Sequence, residues 1–150
     1  YGPATCIRSV SCVADTTMIK TADGMNKLAR ELKIGGEIMT FTNDATDKHF
    51  ASKIKDIKIT PDTLVLQING LTATANHFFV TANRGKVVAE DLQIRDILVK
   101  ADGSKEAVSS IARLKDKVTV YNFYTEKGDG FIANDILVYS ITAGAEPAKK

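Results

Sequence analysis

This 150-residue sequence predicts an all-β domain built from two related halves, with very little helix. Three observations lead there. Short runs that alternate apolar and polar residues recur along the chain, each closed by Gly, Asn or Asp. Only residues 27–32 and 87–92 carry a helical pattern, enough for one or two turns each. Those two segments also match one another. At a constant offset of 60, Thr21-Ala22 matches Thr81-Ala82, Ala29 matches Ala89, Leu32 matches Leu92 and Ile34 matches Ile94, with no gap from Ile19 to Ile38. A second echo at an offset of 58 aligns residues 74–80 with residues 132–138. Two units are too few for a solenoid. The expectation is a sandwich or barrel with approximate two-fold symmetry between residues 18–81 and 79–139.

Taken in order, Met18-Ile19-Lys20-Thr21 reads as a strand entering the turn pair Asp23-Gly24. Glu37-Ile38-Met39-Thr40-Phe41-Thr42 alternates and is expected to stop in the polar stretch Asn43-Asp44-Ala45-Thr46-Asp47-Lys48. Ile54-Lys55-Asp56-Ile57-Lys58-Ile59 precedes Pro61-Asp62, where a turn is expected because proline presets φ for one. Leu64-Val65-Leu66-Gln67-Ile68 ends at Asn69-Gly70, the pair that two-residue hairpin loops favour. Further strands are expected at residues 77–81, 97–100, 108–114, 118–124 and 136–139.

Composition bounds the function. With 44% hydrophobic and 25% charged residues the chain is globular, and its length fits one domain. Twenty Lys and Arg against eighteen Asp and Glu leave a net charge of +2. No basic block stands out, which argues against a nucleic-acid partner. No apolar run approaches the roughly 18 residues of a membrane span. Cys6 and Cys12 are too few for a disulfide scaffold, and their spacing makes no zinc site, so neither metal nor cofactor is expected and the chain reads as a monomer. The chain starts Tyr1-Gly2-Pro3 without Met and reads as a processed piece, so the lack of a signal peptide leaves its compartment open.

Few side chains can do covalent chemistry. His49 lies in the polar stretch Asp47-Lys48-His49-Phe50 and reads as a solvated residue. His77 is followed by Phe78-Phe79-Val80, so it is either a satisfied core residue or a positioned acid or base. Thr74 lies three residues before it, where a turn could aim hydroxyl and imidazole at one point. Cys6 and Cys12 are either free thiols, a disulfide pair, or a bystander and a nucleophile, and spacing alone does not choose.

Several of these segments together resemble one family. Cys12-Val13-Ala14-Asp15-Thr16 is similar to the start of a Hint domain, the self-processing module of inteins, bacterial intein-like domains and hedgehog C-terminal domains. Leu32-Lys33-Ile34-Gly35-Gly36-Glu37-Ile38 is similar to the family's Leu-Lys-x-Gly-Asp-x-Val segment, with Gly36 where Asp is common. Gly70-Leu71-Thr72-Ala73-Thr74-Ala75-Asn76-His77 matches its G-x-x-x-T-x-x-H block. Val120-Tyr121-Asn122-Phe123 and Ala133-Asn134-Asp135-Ile136-Leu137-Val138 resemble its C-terminal block. The resemblance runs from Cys12 to Ser140 in family order, without room for an inserted endonuclease.

The resemblance implies a Hint fold over residues 12–140, with an upstream host segment at 1–11 and a downstream or tail segment at 141–150. It implies that Cys12 attacks the Ser11 carbonyl, turning the Ser11–Cys12 amide into a thioester. His77 would protonate the departing nitrogen. Thr74 would hold the tetrahedral oxygen or distort the bond, Asn76 would support the turn or that oxygen, and Asp129 would stand where a further His is common. The C-terminal junction departs from the family: Tyr139 and Ser140 occupy the place of His-Asn, and neither has the amide that cuts the second bond. Asn134 has one but lies inside the chain and reads as structural. The expected activity is a single-turnover self-cleavage, closest to bacterial intein-like domains. The upstream chain would pass to water, a thiol or an amine, and the partners would be the domain's own flanking polypeptide and that small nucleophile. Full splicing, hedgehog-like transfer to a small alcohol and a silent β interaction module are the alternatives. Cys12 and Ser140 should lie close together.

Overall fold

The computed structural model describes residues 12–142, with side chains through Ser140. The segments at 1–11 and 143–150, and with them Ser11 and Cys6, lie outside the described residues. In chain order β1 (Val13–Ala14), β2 (Met18–Lys20) and β3 (Asn26–Leu28) lead into a 3-10 turn at Ala29–Glu31. Then follow β4 (Glu37–Thr42), β5 (Ala45–Thr63), β6 (Leu66–Ile68), β7 (Leu71–Ala73), β8 (His77–Thr81) and β9 (Gly85–Val88), and a second 3-10 turn at Ala89–Asp91. The chain closes with β10 (Ile97–Val99), β11 (Lys105–Ala107), β12 (Ile111–Arg113), β13 (Val118–Thr125), β14 (Gly130–Ala133) and β15 (Ile136–Thr142).

These strands pair antiparallel in two sheets. One runs β12-β6-β7-β1-β13-β5-β4, the other β11-β10-β8-β15-β14-β2-β3, with β9 beside β8. Ile19, Ile38, Phe79, Phe123 and Phe131 are fully buried in one apolar cluster that draws on both sheets. The all-β expectation therefore holds, and the only helical turns among the described residues fall inside the two segments expected to supply them.

The duplication is visible as repeated hydrogen bonds. Ala22 N donates to Glu37 O at 3.1 Å, and sixty residues on Ala82 N donates to Ile97 O at 2.8 Å. Arg30 N donates to Asp15 O at 3.2 Å, and Glu90 N to Ala75 O at 2.9 Å. Leu32 N and Leu92 N close their 3-10 turns on Ala29 O and Ala89 O, both at 3.2 Å. Even the left-handed residue recurs: Gly35 has φ 95° and Arg95 has φ 85°. The halves differ at the next position. Gly36 has no side chain to offer, whereas Asp96 accepts from Arg84, from Asn83 Nδ2 at 3.0 Å and from Gln93 N at 2.8 Å.

Three boundaries differ from the sequence expectation, each for a local reason. The stretch from Asn43 to Lys48 is not a loop: Thr42 pairs with Ala45, so Asn43-Asp44 alone turns the chain and β5 starts at once. Pro61-Asp62 does not end β5. Asp62 takes φ 50°, and the pairing with β13 shifts register between Thr60 and Thr63, so the chain absorbs the proline as a bulge. The run expected at 108–114 is cut by Asn69. Its Oδ1 accepts from Ser109 N at 2.8 Å and Ser110 N at 3.1 Å, and its Nδ2 donates to Ala107 O at 2.8 Å. The chain there crosses between sheets, with β11 on β10 and β12 on β6. Asn69 and Gly70 form the expected hairpin loop with φ 48° and 89°, and Asn134-Asp135 form a second with φ 50° and 67°.

The Arg84 guanidinium beside Asp96 holds that carboxyl far below the usual carboxylate range, although its burial pushes the other way. A depressed folded-state value stabilises the fold above the ordinary carboxylate pKa and loses that contribution as pH falls. Asp96→Asn is therefore expected to be less stable than the parent at pH 7, and the gap should narrow below about pH 4. Urea denaturation at pH 7 and pH 3 reads this directly, and an equal gap at both would show that the ionised pair contributes nothing.

Candidate functional site

A two-residue strand is fixed by its neighbours. Val13 in β1 pairs with Ala73 of β7 on one side and Tyr121 of β13 on the other. Cys12, one step before it, is gripped twice by a single residue. Thr74 N donates to Cys12 O at 2.9 Å, and Cys12 N donates to Thr74 Oγ1 at 3.0 Å. The Thr74 hydroxyl donates to Asn76 Oδ1 at 2.8 Å. So the amide N–H at the start of residue 12, a threonine hydroxyl and an asparagine carbonyl form one directed chain. Cys12 is fully buried beside Val65 and Val120.

Thr74 also starts the turn that delivers the histidine. His77 N donates to Thr74 O at 3.1 Å, and β8 begins there. The imidazole is fully buried. Phe79 and Phe131 meet it edge-on at centroid distances of 6.2 and 5.9 Å. Its backbone pairs with Thr142 of β15, which brings the far end of the chain to the same turn.

Ser140 is tied in by a residue whose sequence position gives no hint of the contact. Continuing the β1–β13 register by one step sets Asn122 opposite Cys12. Asn122 is fully buried, and its Nδ2 donates to Ser140 O at 3.0 Å. Its Oδ1 accepts from Phe123 N at 3.0 Å. Ser140 Oγ donates to Phe123 O at 2.8 Å, and Ser140 N donates to Asp129 O at 2.8 Å. Asn122, opposite Cys12 by register, thus also holds the Ser140 carbonyl. The sequence did carry a signal: Val118, Val120, Asn122 and Tyr124 share one face of β13 by the two-residue period, and Asn122 interrupts its apolar start.

The side chains of Asp129 and Tyr139 point away from this cluster. The Asp129 carboxylate accepts from Asn43 N at 2.7 Å, and its N–H donates to Phe41 O at 2.7 Å, so it joins the β13–β14 turn to the end of β4. Tyr139 points to the other side of β15 from Ser140 and packs in a separate cluster with Phe41, their rings 5.5 Å apart. Burial raises its phenol pKa, and the Asp129 charge adds to that. His49 is half-buried, not solvated. Its Nε2 lies 3.0 Å from Thr46 O inside the β4–β5 hairpin, outside the set described above. Asn134, expected to be structural, donates through N to Met18 O at 2.8 Å and accepts from Met18 N at 2.9 Å. Among the described residues no group of three or more His, Cys, Asp or Glu could hold a metal ion.

Comparison with solved structures decides the fold. A bacterial intein-like domain from Clostridium thermocellum superposes with a TM-score of 0.76 over 86% of this chain and 97% of its own, at 24% identity. The chain has the Hint fold of the inteins. The DnaB intein from Synechocystis sp. PCC 6803 matches with a TM-score of 0.74 over 87% of this chain and 98% of its own, at 23% identity. The gp41-1 intein does so at 0.70, over 87% and 99%, at 17% identity. No protein-family model and no curated protein sequence matches the chain.

Removing the Asn122 side chain strips a buried donor from the Ser140 carbonyl and an acceptor from Phe123 N. Asn122→Ala should cost about 1–3 kcal/mol of stability, the range for leaving buried polar groups unsatisfied. Thermal unfolding followed by circular dichroism would report it, and an unchanged midpoint would show that water replaces both bonds.

Proposed function

We propose that this Hint fold is an autoprocessing domain that cleaves its own chain at Ser11–Cys12 by an N-to-S acyl shift. The observation that carries the reading is the clamp on Cys12: one threonine holds both the N–H and the C=O of the residue whose thiol would react. Three of the compared structures carry intein names, and inteins process their own chains, which supports the same class of activity for this fold.

The chemistry follows from the residue types. The Cys12 thiolate attacks the Ser11 carbonyl through a five-membered ring, so the reactants stand at high effective concentration. The C–N bond breaks, a C–S bond forms, and the departing nitrogen takes up a proton. His77 is the group in the turn that can supply one near neutral pH. Thr74 Oγ1 sits on the amide N–H, so its role is at the departing nitrogen, where it orients the amide and receives N–H as the nitrogen becomes an amine. Asn76 aims the Thr74 lone pair by holding its proton. The domain consumes its own bond and acts once.

At the other end, cleavage after Ser140 would need a side-chain amide on that residue, and Ser140 has a hydroxyl engaged with Phe123 O. The upstream segment is therefore released to water, a thiol or an amine, and the domain stays joined to residues 141–150.

Cys12→Ala is expected to abolish release and His77→Ala to slow it severely. Thr74→Ala should cost about 1–3 kcal/mol in the barrier, roughly five- to 150-fold in rate. His49→Ala should leave the rate alone, and equal effects of His49→Ala and His77→Ala would reject the assignment.

Intact-mass measurement over time with dithiothreitol identifies the bond. Loss of residues 1–11, fastest with thiol, is the expected outcome, because exchange at a thioester is rapid once thiolate is available. Loss of the last ten residues, or a ligated product of the two flanks, would overturn the reading of the C-terminal end.

A further inference from the structure

β15 bulges near its end. Val138 pairs with Phe79 and Thr142 with His77, so Tyr139, Ser140 and Ile141 stand against Phe78 alone. A bulge disrupts the ladder locally, and bulges are common beside reactive sites, where they re-aim a group. The Ser140 C=O is met there by a side chain, Asn122 Nδ2, which donates to it at 3.0 Å. Asn122 has no exposed surface and Ser140 is buried. The carbonyl that opens the Ser140–Ile141 bond is therefore shielded from water and polarised by an amide.

We infer that Asn122 is the oxyanion donor of a second scission site, Ser140–Ile141, which lies dormant because residue 140 brings no nucleophile. Breaking that bond needs a nucleophile for the carbonyl carbon and a donor for the negative charge that builds on its oxygen. The donor is in place. Oxyanion donors stand about 2.7–3.1 Å from the oxygen they stabilise, and Asn122 Nδ2 stands at 3.0 Å. The amide is also fixed the right way round. Its Oδ1 accepts from Phe123 N at 3.0 Å, and Nδ2 donates as well to the Tyr124 hydroxyl at 3.0 Å. Turned over, the amide would set oxygen against the Ser140 oxygen and N–H against the Phe123 N–H.

The nucleophile is what the site lacks. Ser140 Oγ donates to Phe123 O at 2.8 Å, and its attack on the Ser140 carbonyl carbon would close a strained four-membered ring. A side-chain amide at position 140 closes a five-membered ring instead. Its nitrogen bonds to the carbonyl carbon, and the C–N bond to Ile141 breaks. One amide proton passes to the Ile141 nitrogen, which leaves as a free amine, and the domain ends in a cyclic imide. Asn122 N–H carries the charge on the oxygen while both bonds change. The inference stands apart from the Ser11–Cys12 reaction, so it can be tested with that reaction removed.

The test uses the full chain carrying Cys12→Ala and Ser140→Asn, incubated at neutral pH and followed by intact mass. Loss of residues 141–150 is expected, whereas Cys12→Ala alone should stay whole. Adding Asn122→Ala should slow the loss roughly a hundredfold or more, the effect of removing one oxyanion donor. Asn122→Asp keeps the shape, replaces the donor with an acceptor, and should slow it as much. Rates are compared at a temperature where circular dichroism shows each variant folded, because a bond with a structural role alone would lower stability and leave the rate of folded protein unchanged. With residue 122 unaltered, a scalar coupling across the hydrogen bond from Asn122 Nδ2 to the Ser140 carbonyl carbon is expected in the Cys12→Ala chain. A folded double variant that keeps residues 141–150, a rate unmoved by Asn122→Asp, absence of the coupling, or loss of the segment while Ser140 is in place would each overturn the inference. None of these outcomes bears on Ser11–Cys12, whose failure would show instead as a parent chain that releases nothing with thiol.

Discussion

The reciprocal pair between Cys12 and Thr74 governs the rest of the architecture. β1 has two residues and could not hold a register by itself. Two bonds from one threonine, through N and through Oγ1, fix both polar groups of Cys12 at once. A slip of one residue would turn every side chain to the other face. Val13 would then stand where the thiol stands, and the thiol would enter the apolar cluster with Phe123 and Phe131. The lengths of β7 and β13, the hairpin at Asn69-Gly70 and the turn from Thr74 to His77 all serve to deliver partners to this one position.

The duplicated halves share a backbone but not a chemistry. At the offset of 60, the mates of Thr74 and His77 are Ala14 and Thr17. Thr17 is 3% exposed and holds the Ala29 N–H on its carbonyl at 2.8 Å, a structural task. Conversely, the strong carboxylate bracing of Asp96 has no equivalent at Gly36.

Much of this was legible in the chain, and the exceptions have a common cause. The repeat, the Asn69-Gly70 hairpin and both 3-10 turns could be read because local pattern decides them. Cys12, Thr74 and His77 could be singled out because few residue types do covalent chemistry. Asn122 was passed over because its importance comes from facing Cys12 across one strand and Ser140 across another, which no local window contains. The cut in the 108–114 run was hidden for the same reason: it is imposed by Asn69, some forty residues earlier. Tyr139 and Ser140 are adjacent in sequence, yet the strand period sends the first to Phe41 and the second to Phe123.

The long reach of β1 has a consequence for timing. Chains are made from the N-terminus, and non-local pairings close late because loop entropy must be overcome first. Cys12 is synthesised before the strands that hold it: β1 waits for Ala73 and Tyr121, and the Asn122 bond to Ser140 waits for the last strand. The thiol therefore leaves the ribosome long before it has a site. In an unfinished or misfolded copy Cys12 has neither Thr74 nor Asn122 beside it, so its surroundings exist only once the whole domain is in place.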